Sequence, residues 1–166
     1  GFVYRNTFED IAGAIAVMQA LSLAPSIAIY EPGFLRAVLS YHRAGRLPEG
    51  AFVKFYFGGR HNLLTGRPSN VTFGLPPTRK ALEAYLEMLE GANLPWGVAV
   101  LGDDVIETGM ARLALERGGH VRVGLEDYLG SRTPTNRELV KAAADAARVV
   151  GRPLANAAET RSMLGI

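Results

Sequence analysis

An arginine, a glycine and two acids stand close together at the end of one apolar segment. In the run GGHVRVGLEDYLG, which starts at Gly118, apolar residues alternate with Arg122, Gly124 and Glu126, and Asp127 follows directly. A period-two backbone puts Arg122 and Glu126 on the same side of a strand, with no side chain between them. Charges at the exit of a buried strand are costly unless they meet each other, a metal or a substrate. The run therefore indicates either a structural salt bridge or a functional site.

Other polar positions are also candidates for chemistry. Glu31 precedes a Pro-Gly pair, where it is either a turn acid at the start of a helix or a functional carboxylate. Arg60 belongs to a Gly-Gly-Arg-His run that could approach phosphates through backbone amides and the guanidinium. The alternative for Arg60 is a flexible surface loop. Asp103 and Asp104 are adjacent carboxylates that could bind a metal ion. They stand where a helix is predicted to begin, which favours a role in capping that helix.

Metal ligands other than carboxylates are scarce. The chain has no cysteine, which excludes disulfides, thiolate metal sites and cysteine nucleophiles. The three histidines, His42, His61 and His120, are scattered, with neither an H-x-H pair nor a helical i,i+4 pair.

The elements that must position these groups alternate along the chain. Five strand-like segments are predicted, at Phe2–Arg5, Ile27–Tyr30, Phe52–Phe57, Gly97–Leu101 and His120–Leu125. Helices are predicted between and after them, beginning near Thr7, Phe34, Thr78, Val105 and Thr135. A polar loop rich in Gly, Pro and Asn fills residues 60–77.

Strand, loop and helix recur at spacings of about 25 residues, which predicts parallel βα units in a single domain over residues 1–166. Two α/β architectures fit: an open doubly wound sheet, or part of an eight-stranded βα barrel. No G-x-G-x-x-G marks a dinucleotide-binding turn. Polar groups collect after all five predicted strands, and such strand ends converge only in a curved sheet. The pattern therefore favours about five strands of a TIM-type barrel.

Composition limits the possible partners. The chain has 166 residues, 48% hydrophobic and 20% charged, with a net charge of +2 and no basic run. These features argue against a nucleic-acid surface. No apolar run approaches the roughly 20 residues that a membrane span needs. We therefore expect a cytoplasmic protein that binds neither nucleic acid nor membrane.

Several motifs together resemble one family, the β-keto acid cleavage enzymes. They are RGGHVRVGLED, the P-T-N at Pro134–Asn136 and the ending GRPLANAAETRSMLG, with FGLPPT and LPWGVAVLG earlier in the chain. The resemblance extends over nearly all of the 166 residues.

The resemblance implies a zinc-dependent (β/α)8 barrel, usually a homo-oligomer, that takes a β-keto acid and acetyl-CoA to acetoacetate and a new acyl-CoA. It implies that Glu126 is a zinc ligand. It also implies that Arg122 positions the keto acid and takes part with Asp127 in proton abstraction. A metal polarises the keto oxygen, and a planar guanidinium holds a carboxylate by two-point contact. Glu31 is the local candidate for the carboxylate that orients the substrate, and Arg60, from its own Gly-rich run and not from the resemblance, is the candidate for binding the CoA co-substrate.

The chain departs from the family pattern in three ways. Nothing here supplies the early H-x-H strand that carries the family's other zinc ligands. Family members are longer, with about three further strands in front, so we expect this chain to be the C-terminal part of the barrel. Ala28 stands where an acid is often found, which leaves Glu31 as the local carboxylate.

Two alternatives to this enzyme stay open. One is a truncated barrel fragment without catalytic activity, which would associate through open sheet edges and apolar faces. The other is a different metal-dependent aldolase or lyase on the same barrel, whose acids bind Mg²⁺ or Mn²⁺.

Overall fold

A computed structural model describes residues 3–62, 65–68 and 73–165. In this part of the chain, a first helix is followed by four βα units and then by one final helix. The strands are β1 (Ser26–Ile29), β2 (Phe52–Gly58), β3 (Trp96–Leu101) and β4 (His120–Val121). The helices are α1 (Phe8–Ala20), α2 (Pro32–Arg43), α3 (Arg79–Leu89), α4 (Met110–Glu116), α5 (Asn136–Val150) and α6 (Ala157–Leu164).

The four strands form one parallel sheet in the order β1-β2-β3-β4. Each strand pairs with the next one in the sequence, so that Ile29 is opposite Phe55, which in turn is opposite Val98. This order confirms the predicted parallel βα units. A doubly wound sheet reverses its strand order, whereas a barrel keeps adding strands in one direction. The observed order is therefore compatible with part of a barrel, which stays a prediction.

The main hydrophobic core lies between the sheet and helices α2, α3 and α4. Val53, Phe55 and Phe57 of β2 point toward these helices and are fully buried. Tyr85 of α3 stacks on Phe55 with ring centres 4.6 Å apart and an interplanar angle of 4°. This packing covers one face of the sheet and fixes which side chains appear on the other.

The second face of the sheet carries Tyr30, Lys54, Tyr56, Ala99 and Leu101, and we call it the tyrosine face. Side chains alternate along a strand, so residues between those of the main core belong to this face. Tyr56, Ala99 and Leu101 form a separate small cluster with Tyr30 packed against it. The ring centres of Tyr30 and Tyr56 are 5.0 Å apart.

The predicted first strand is wrong for the residues that can be judged. Phe2 lies outside the described residues, and Val3 to Arg5 have no strand structure. Tyr4 instead packs its ring edge against Tyr30, with centres 5.3 Å apart. An apolar run becomes a strand only where a neighbouring backbone completes its hydrogen bonds, and packing through a ring has replaced that pairing here.

The fifth predicted strand is also wrong in length. Only His120 and Val121 form β4, where His120–Leu125 was predicted. Beyond them the chain turns, because the amides of Asp127 and Tyr128 both donate to the carbonyl of Gly124. Because the first predicted strand does not form among the described residues, the described sheet has four strands instead of about five.

Helix α4 begins at Met110, later than the predicted Val105. The side chain of Asp104 holds the preceding segment in a turn, since its Oδ1 accepts from the amide of Ile106 at 2.7 Å. Gly109 then takes a left-handed conformation, with φ of 77°, immediately before the helix. Asp104 therefore caps the turn that precedes α4, and not the helix itself.

Other helix starts follow the local sequence signals. Thr7 and Thr135 each form a capping box with the acid three residues later, as predicted. Helix α1 nevertheless buries only Ile15, and its Phe8 is 81% exposed. Among the described residues, no helix has both the length and the apolar character that crossing a bilayer requires.

Candidate functional site

The predicted charged cluster forms at the carboxyl end of the sheet. Arg122 Nε lies 2.7 Å from Asp127 Oδ2, and Arg122 NH2 lies 2.8 Å from Glu126 Oε2. The Asp127 side chain is 6% exposed, that of Arg122 is 34% exposed and that of Glu126 is 79% exposed. One guanidinium thus joins a buried carboxylate to a solvent-facing one.

Backbone hydrogen bonds fix these three side chains relative to β3. The amide of Arg122 donates to the carbonyl of Val98 at 2.9 Å, which extends the pairing by one residue beyond β4. The carbonyl of Asp127 accepts from the amide of Gly102 at 2.9 Å. The turn after Gly124 is therefore anchored at both ends to β3, and the contact between Arg122 and Glu126 arises from this turn.

The guanidinium of Arg122 lies over the tyrosine face. Its Cζ is 5.9 Å from the centre of the Tyr56 ring, and Lys54 Nζ is 5.6 Å from the same centre. Two cations therefore flank one aromatic ring, a geometry in which the ring quadrupole attracts both. Because Arg122 faces the sheet, the cluster is not an isolated ion pair on an outer surface.

Burial and neighbouring charges shift the pKa values of these groups. The hydrogen bond to Asp127 raises the pKa of Arg122, which keeps the guanidinium charged. Burial raises the pKa of Tyr56 to about 12, so its hydroxyl stays protonated near neutral pH. Burial, followed by the nearby charge of Arg122, lowers the pKa of Lys54. The ammonium of Lys54 therefore loses part of its solvation where it lies beside the ring.

Arg60 forms a bidentate ion pair at the neighbouring strand end. Its Nε and NH2 lie 2.6 and 2.8 Å from the two carboxylate oxygens of Asp103. Asp103 is buried, whereas the Arg60 side chain is 71% exposed. Burial raises the pKa of Asp103, but the hydrogen bonds from Arg60 and from the amide of Asp104 outweigh it and lower the pKa overall.

Gly59 makes this approach possible. A Cβ at Gly59 would lie 2.5 Å from Asp103 Cβ and 2.7 Å from the carbonyl carbon of Gly102. Glycine is needed here because two strand-end segments come into close contact. The segment containing Arg60 is thus held against the end of β3 by the ion pair and by backbone contact.

A second buried acid is paired in a similar way. Asp104 Oδ2 accepts from Arg132 NH2 at 2.9 Å, and the Arg132 side chain is 53% exposed. Neither Asp103 nor Asp104 thus presents a carboxylate without a cation. Both acids connect loops at the carboxyl end of the sheet.

Glu31 lies apart from the Arg122 cluster in its contacts. It is the residue before α2, and its Oε1 accepts from the amide of Gly74 at 2.9 Å. The preceding residue, Tyr30, is the one that faces Tyr56. Glu31 thus ties the segment after the polar loop to the end of β1, and its predicted role in orienting substrate stays a prediction.

The described histidines do not gather around the acids. His61 Nδ1 lies 3.1 Å from the carbonyl oxygen of Gly102. Burial, followed by the charge of Arg152, lowers the pKa of His120 at the start of β4. Across the part of the chain with described coordinates, no three His, Asp or Glu side chains form a group able to hold a metal ion.

Lys54 is the site residue that sequence reasoning missed. It is the single charged residue in the strand sequence FVKFYFG. A lone lysine in an otherwise apolar central strand was the available signal, because burying a charge there is costly without a reason. The signal becomes specific only when the fold places Lys54 and Arg122 at the same ring.

Comparison with known proteins agrees with the resemblance noted in the sequence. A family model described as beta-keto acid cleavage enzyme matches residues 1–166. The 3-oxoadipate:acetyl-CoA acetyltransferase of Cupriavidus necator is 29% identical over 170 residues, covering 99% of this chain and 55% of that protein. The 3-keto-5-aminohexanoate cleavage enzyme of Fusobacterium nucleatum is 25% identical over 168 residues, covering 99% of this chain and 56% of that protein.

A third relative has a higher sequence identity to this chain, over a shorter segment. The 3-keto-5-aminohexanoate cleavage enzyme of Acetoanaerobium sticklandii is 46% identical over 61 residues, which cover 34% of this chain and 22% of that protein. The chain spans about half the length of the first two relatives. Because the family model matches all 166 residues of the chain, the chain belongs to the beta-keto acid cleavage enzyme family.

Proposed function

We propose that the intact protein converts a β-keto acid and acetyl-CoA into acetoacetate and a new acyl-CoA. The observation that carries this proposal is the cluster of Arg122, Asp127 and Glu126 at the carboxyl end of a parallel sheet. Its guanidinium lies over Tyr56 on the tyrosine face. Carboxyl ends of parallel strands are where barrel enzymes keep their chemistry. Family membership and the names of two relatives support the same reaction class.

The proposed reaction balances without an external oxidant or reductant. The bond between the α and β carbons of the keto acid breaks, and the two-carbon carboxylate end joins the acetyl group of acetyl-CoA. The acetyl C–S bond breaks as a new C–S bond forms between CoA sulfur and the remaining acyl group. A proton is removed and returned along the way, which calls for an acid–base group beside the substrate.

We assign substrate binding to Arg122. Its guanidinium is held charged by Asp127 and stays one-third exposed, so a substrate carboxylate can reach it. A guanidinium presents its donors in a planar fork that matches a carboxylate. Two of its nitrogens already contact Asp127 and Glu126, which orients the remaining donors over the tyrosine face.

We assign proton transfer to Arg122 and Asp127 acting together. Asp127 Oδ2 lies 2.7 Å from Arg122 Nε, within the reach that proton transfer needs. Asp127 is buried, so the hydrogen bond is sheltered from bulk water. The proton removed from the α carbon of the substrate can pass to the guanidinium as the Nε proton passes to Asp127, so that Arg122 stays charged while Asp127 becomes the carboxylic acid.

Zinc enters the proposal through Glu126. Its carboxylate lies 2.8 Å from Arg122 and its side chain is 79% exposed, so it could serve as one metal ligand. A catalytic zinc needs about three protein ligands, and the described residues offer no second and third beside Glu126. The metal would therefore take its other ligands from outside this chain. Once bound, zinc would polarise the keto oxygen of the substrate.

Arg60 and Glu31 take supporting roles in the proposal. Arg60 is largely exposed at the strand end next to the cluster, where a phosphate of acetyl-CoA could reach it. Glu31 would act through the loop segment that it holds at Gly74. Closure into a TIM-type barrel, assembly into a homo-oligomer and a cytoplasmic location are further parts of this proposal.

The test is to supply the purified intact protein with 3-oxoadipate and acetyl-CoA carrying ¹³C at the acetyl carbonyl. Carbon NMR should show the label in the keto carbon of acetoacetate, in an amount equal to the keto acid consumed. Metal analysis of the same sample should show zinc, whereas activity with tightly held Mg²⁺ would point to a different lyase. Absence of labelled acetoacetate would contradict the proposed reaction.

A further inference from the structure

Lys54 occupies an unusual place in the sheet. It lies in β2 between Val53 and Phe55, both of which are fully buried toward the helices. Its own side chain therefore belongs to the opposite, tyrosine face. Its ladder neighbours are Ala28 and Gly97, and the ring of Phe52, two residues earlier in β2, lies over Gly97.

The charge of this ammonium is only partly balanced by its surroundings. Among the described residues, no carboxylate forms an ion pair with Lys54. The acids of the cluster, Glu126 and Asp127, are both engaged with Arg122. Burial and then the charge of Arg122 lower the pKa of Lys54, and they outweigh the opposite effects of Asp127 and Glu126. A half-buried cation held next to another cation is an arrangement that costs stability and that a bound anion would relieve.

The two cations are positioned for one ligand. Lys54 Nζ and Arg122 Cζ lie 5.6 and 5.9 Å from the centre of the same Tyr56 ring. The guanidinium suits two-point contact with one carboxylate. The ammonium can donate hydrogen bonds to a second anionic group in several directions.

We propose that Lys54 is a specificity-determining residue that binds a second carboxylate at the far end of the substrate, so that the site favours β-keto diacids over β-keto acids with an apolar end. This inference rests on the proposed function, because it assigns the first carboxylate to Arg122. An ammonium that merely filled space would give no preference between the two kinds of substrate.

The experiment compares two substrates of equal chain length in the intact enzyme. One is 3-oxoadipate, with a carboxylate at each end, and the other is 3-oxohexanoate, which ends in a methyl group. The wild type should have a kcat/KM at least about tenfold higher for 3-oxoadipate, since a hydrogen bond to a charged group contributes roughly 1.5–3 kcal/mol. Equal values, or a preference for 3-oxohexanoate, would overturn the inference.

Three variants locate the preference. Lys54→Met should lower kcat/KM for 3-oxoadipate by about 10–100-fold and leave that for 3-oxohexanoate within about twofold. Lys54→Arg, which keeps the charge, should recover most of the lost activity on the diacid. Lys80→Met removes an exposed lysine at the start of α3 and should change neither value.

The outcomes separate the inference from the proposed function. If the wild type forms no acetoacetate from either substrate, the proposed function is wrong and the inference falls with it. If the wild type is active and Lys54→Met loses activity equally on both substrates, or on neither, only the role of Lys54 is wrong. Where a Lys54 variant fails to fold, equal wild-type values for the two substrates still overturn the inference.

Discussion

Arg122 Nε and Asp127 Oδ2 are 2.7 Å apart, yet the two side chains differ widely in exposure, at 34% and 6%. The cation is thus held from behind by a buried acid while its front remains accessible. Solvated ion pairs contribute little stability and buried ones often fail to offset their desolvation, so stability alone does not account for this pair. This half-open geometry is what a substrate-binding guanidinium needs.

Glu126→Gln should weaken zinc binding by the intact protein by more than about tenfold. An amide has the shape of the carboxylate but lacks its charge, and loss of even an outer partner of a metal ligand costs about 10–100-fold in affinity. Titration with a zinc chelator, followed by metal analysis, measures the effect. Glu116→Gln is the matched control, since Glu116 pairs with Arg112 at the same i,i+4 spacing. Full zinc occupancy in Glu126→Gln would show that Glu126 is not a ligand.

Arg60→Gln should raise the KM for acetyl-CoA several-fold and leave the KM for the keto acid unchanged, because Arg60 is assigned to a CoA phosphate. Steady-state kinetics with each substrate varied in turn supplies the measurement. Arg132→Gln is the control, since it also deprives a buried acid, Asp104, of its arginine. Equal shifts of the acetyl-CoA KM in both variants would mean that Arg60 acts only through the structure.

Gly59→Ala should destabilise the protein by about 1–3 kcal/mol, the usual cost of overfilling a packed site. The added methyl would stand 2.5 Å from Asp103 Cβ, where backbone on both sides restricts any adjustment. Urea unfolding measures the change in the free energy of unfolding. Gly13→Ala in α1 meets no atom within 4 Å and should be neutral or slightly stabilising. Similar stability of the two variants would refute the close approach at Gly59.

Asp103 should make the protein more stable at neutral than at acid pH. Its pKa is lowered below 3.8 in the folded state, so the unfolded chain binds the proton more readily. The contribution is therefore complete above the unfolded pKa and is lost as the pH falls through the folded pKa. Asp103→Asn should cost about 1–3 kcal/mol at pH 7 and much less near pH 3.

Urea unfolding of the wild type and Asp103→Asn, repeated from pH 7 to pH 3, measures this difference. The exposed Glu87 of α3 serves as the control, with Glu87→Gln expected to cost nearly the same at each pH. A cost of Asp103→Asn that stayed constant over the range would contradict the role of this ion pair.

Local features of the fold could be predicted from the sequence because they depend on neighbours in the chain. Thr135 and Glu138 are three residues apart, and their capping box follows from that spacing alone. The contact of Arg122 with Glu126 and Asp127 spans at most five residues and was likewise predictable. The parallel order of the strands followed from the alternation of strands and helices.

Long-range contacts could not be predicted in the same way. Arg60 and Asp103 are 43 residues apart, and neither sequence segment carries a sign of the other. The run Val3–Arg5 has strand composition, but no ladder partner completes it among the described residues. Lys54 acquired meaning only when the register of the sheet placed it on the face of Tyr56 and Arg122.

The most direct test of the central claim is the Arg122→Ala variant of the intact protein, assayed for acetoacetate and zinc in one sample. The assignment of substrate binding and proton transfer to this guanidinium predicts a loss of at least about 100-fold in acetoacetate formation, with zinc content as in the wild type. Arg112→Ala, which breaks an exposed pair on α4, should retain full activity. Unchanged turnover in Arg122→Ala would contradict the account and leave the pair with Asp127 as a structural salt bridge.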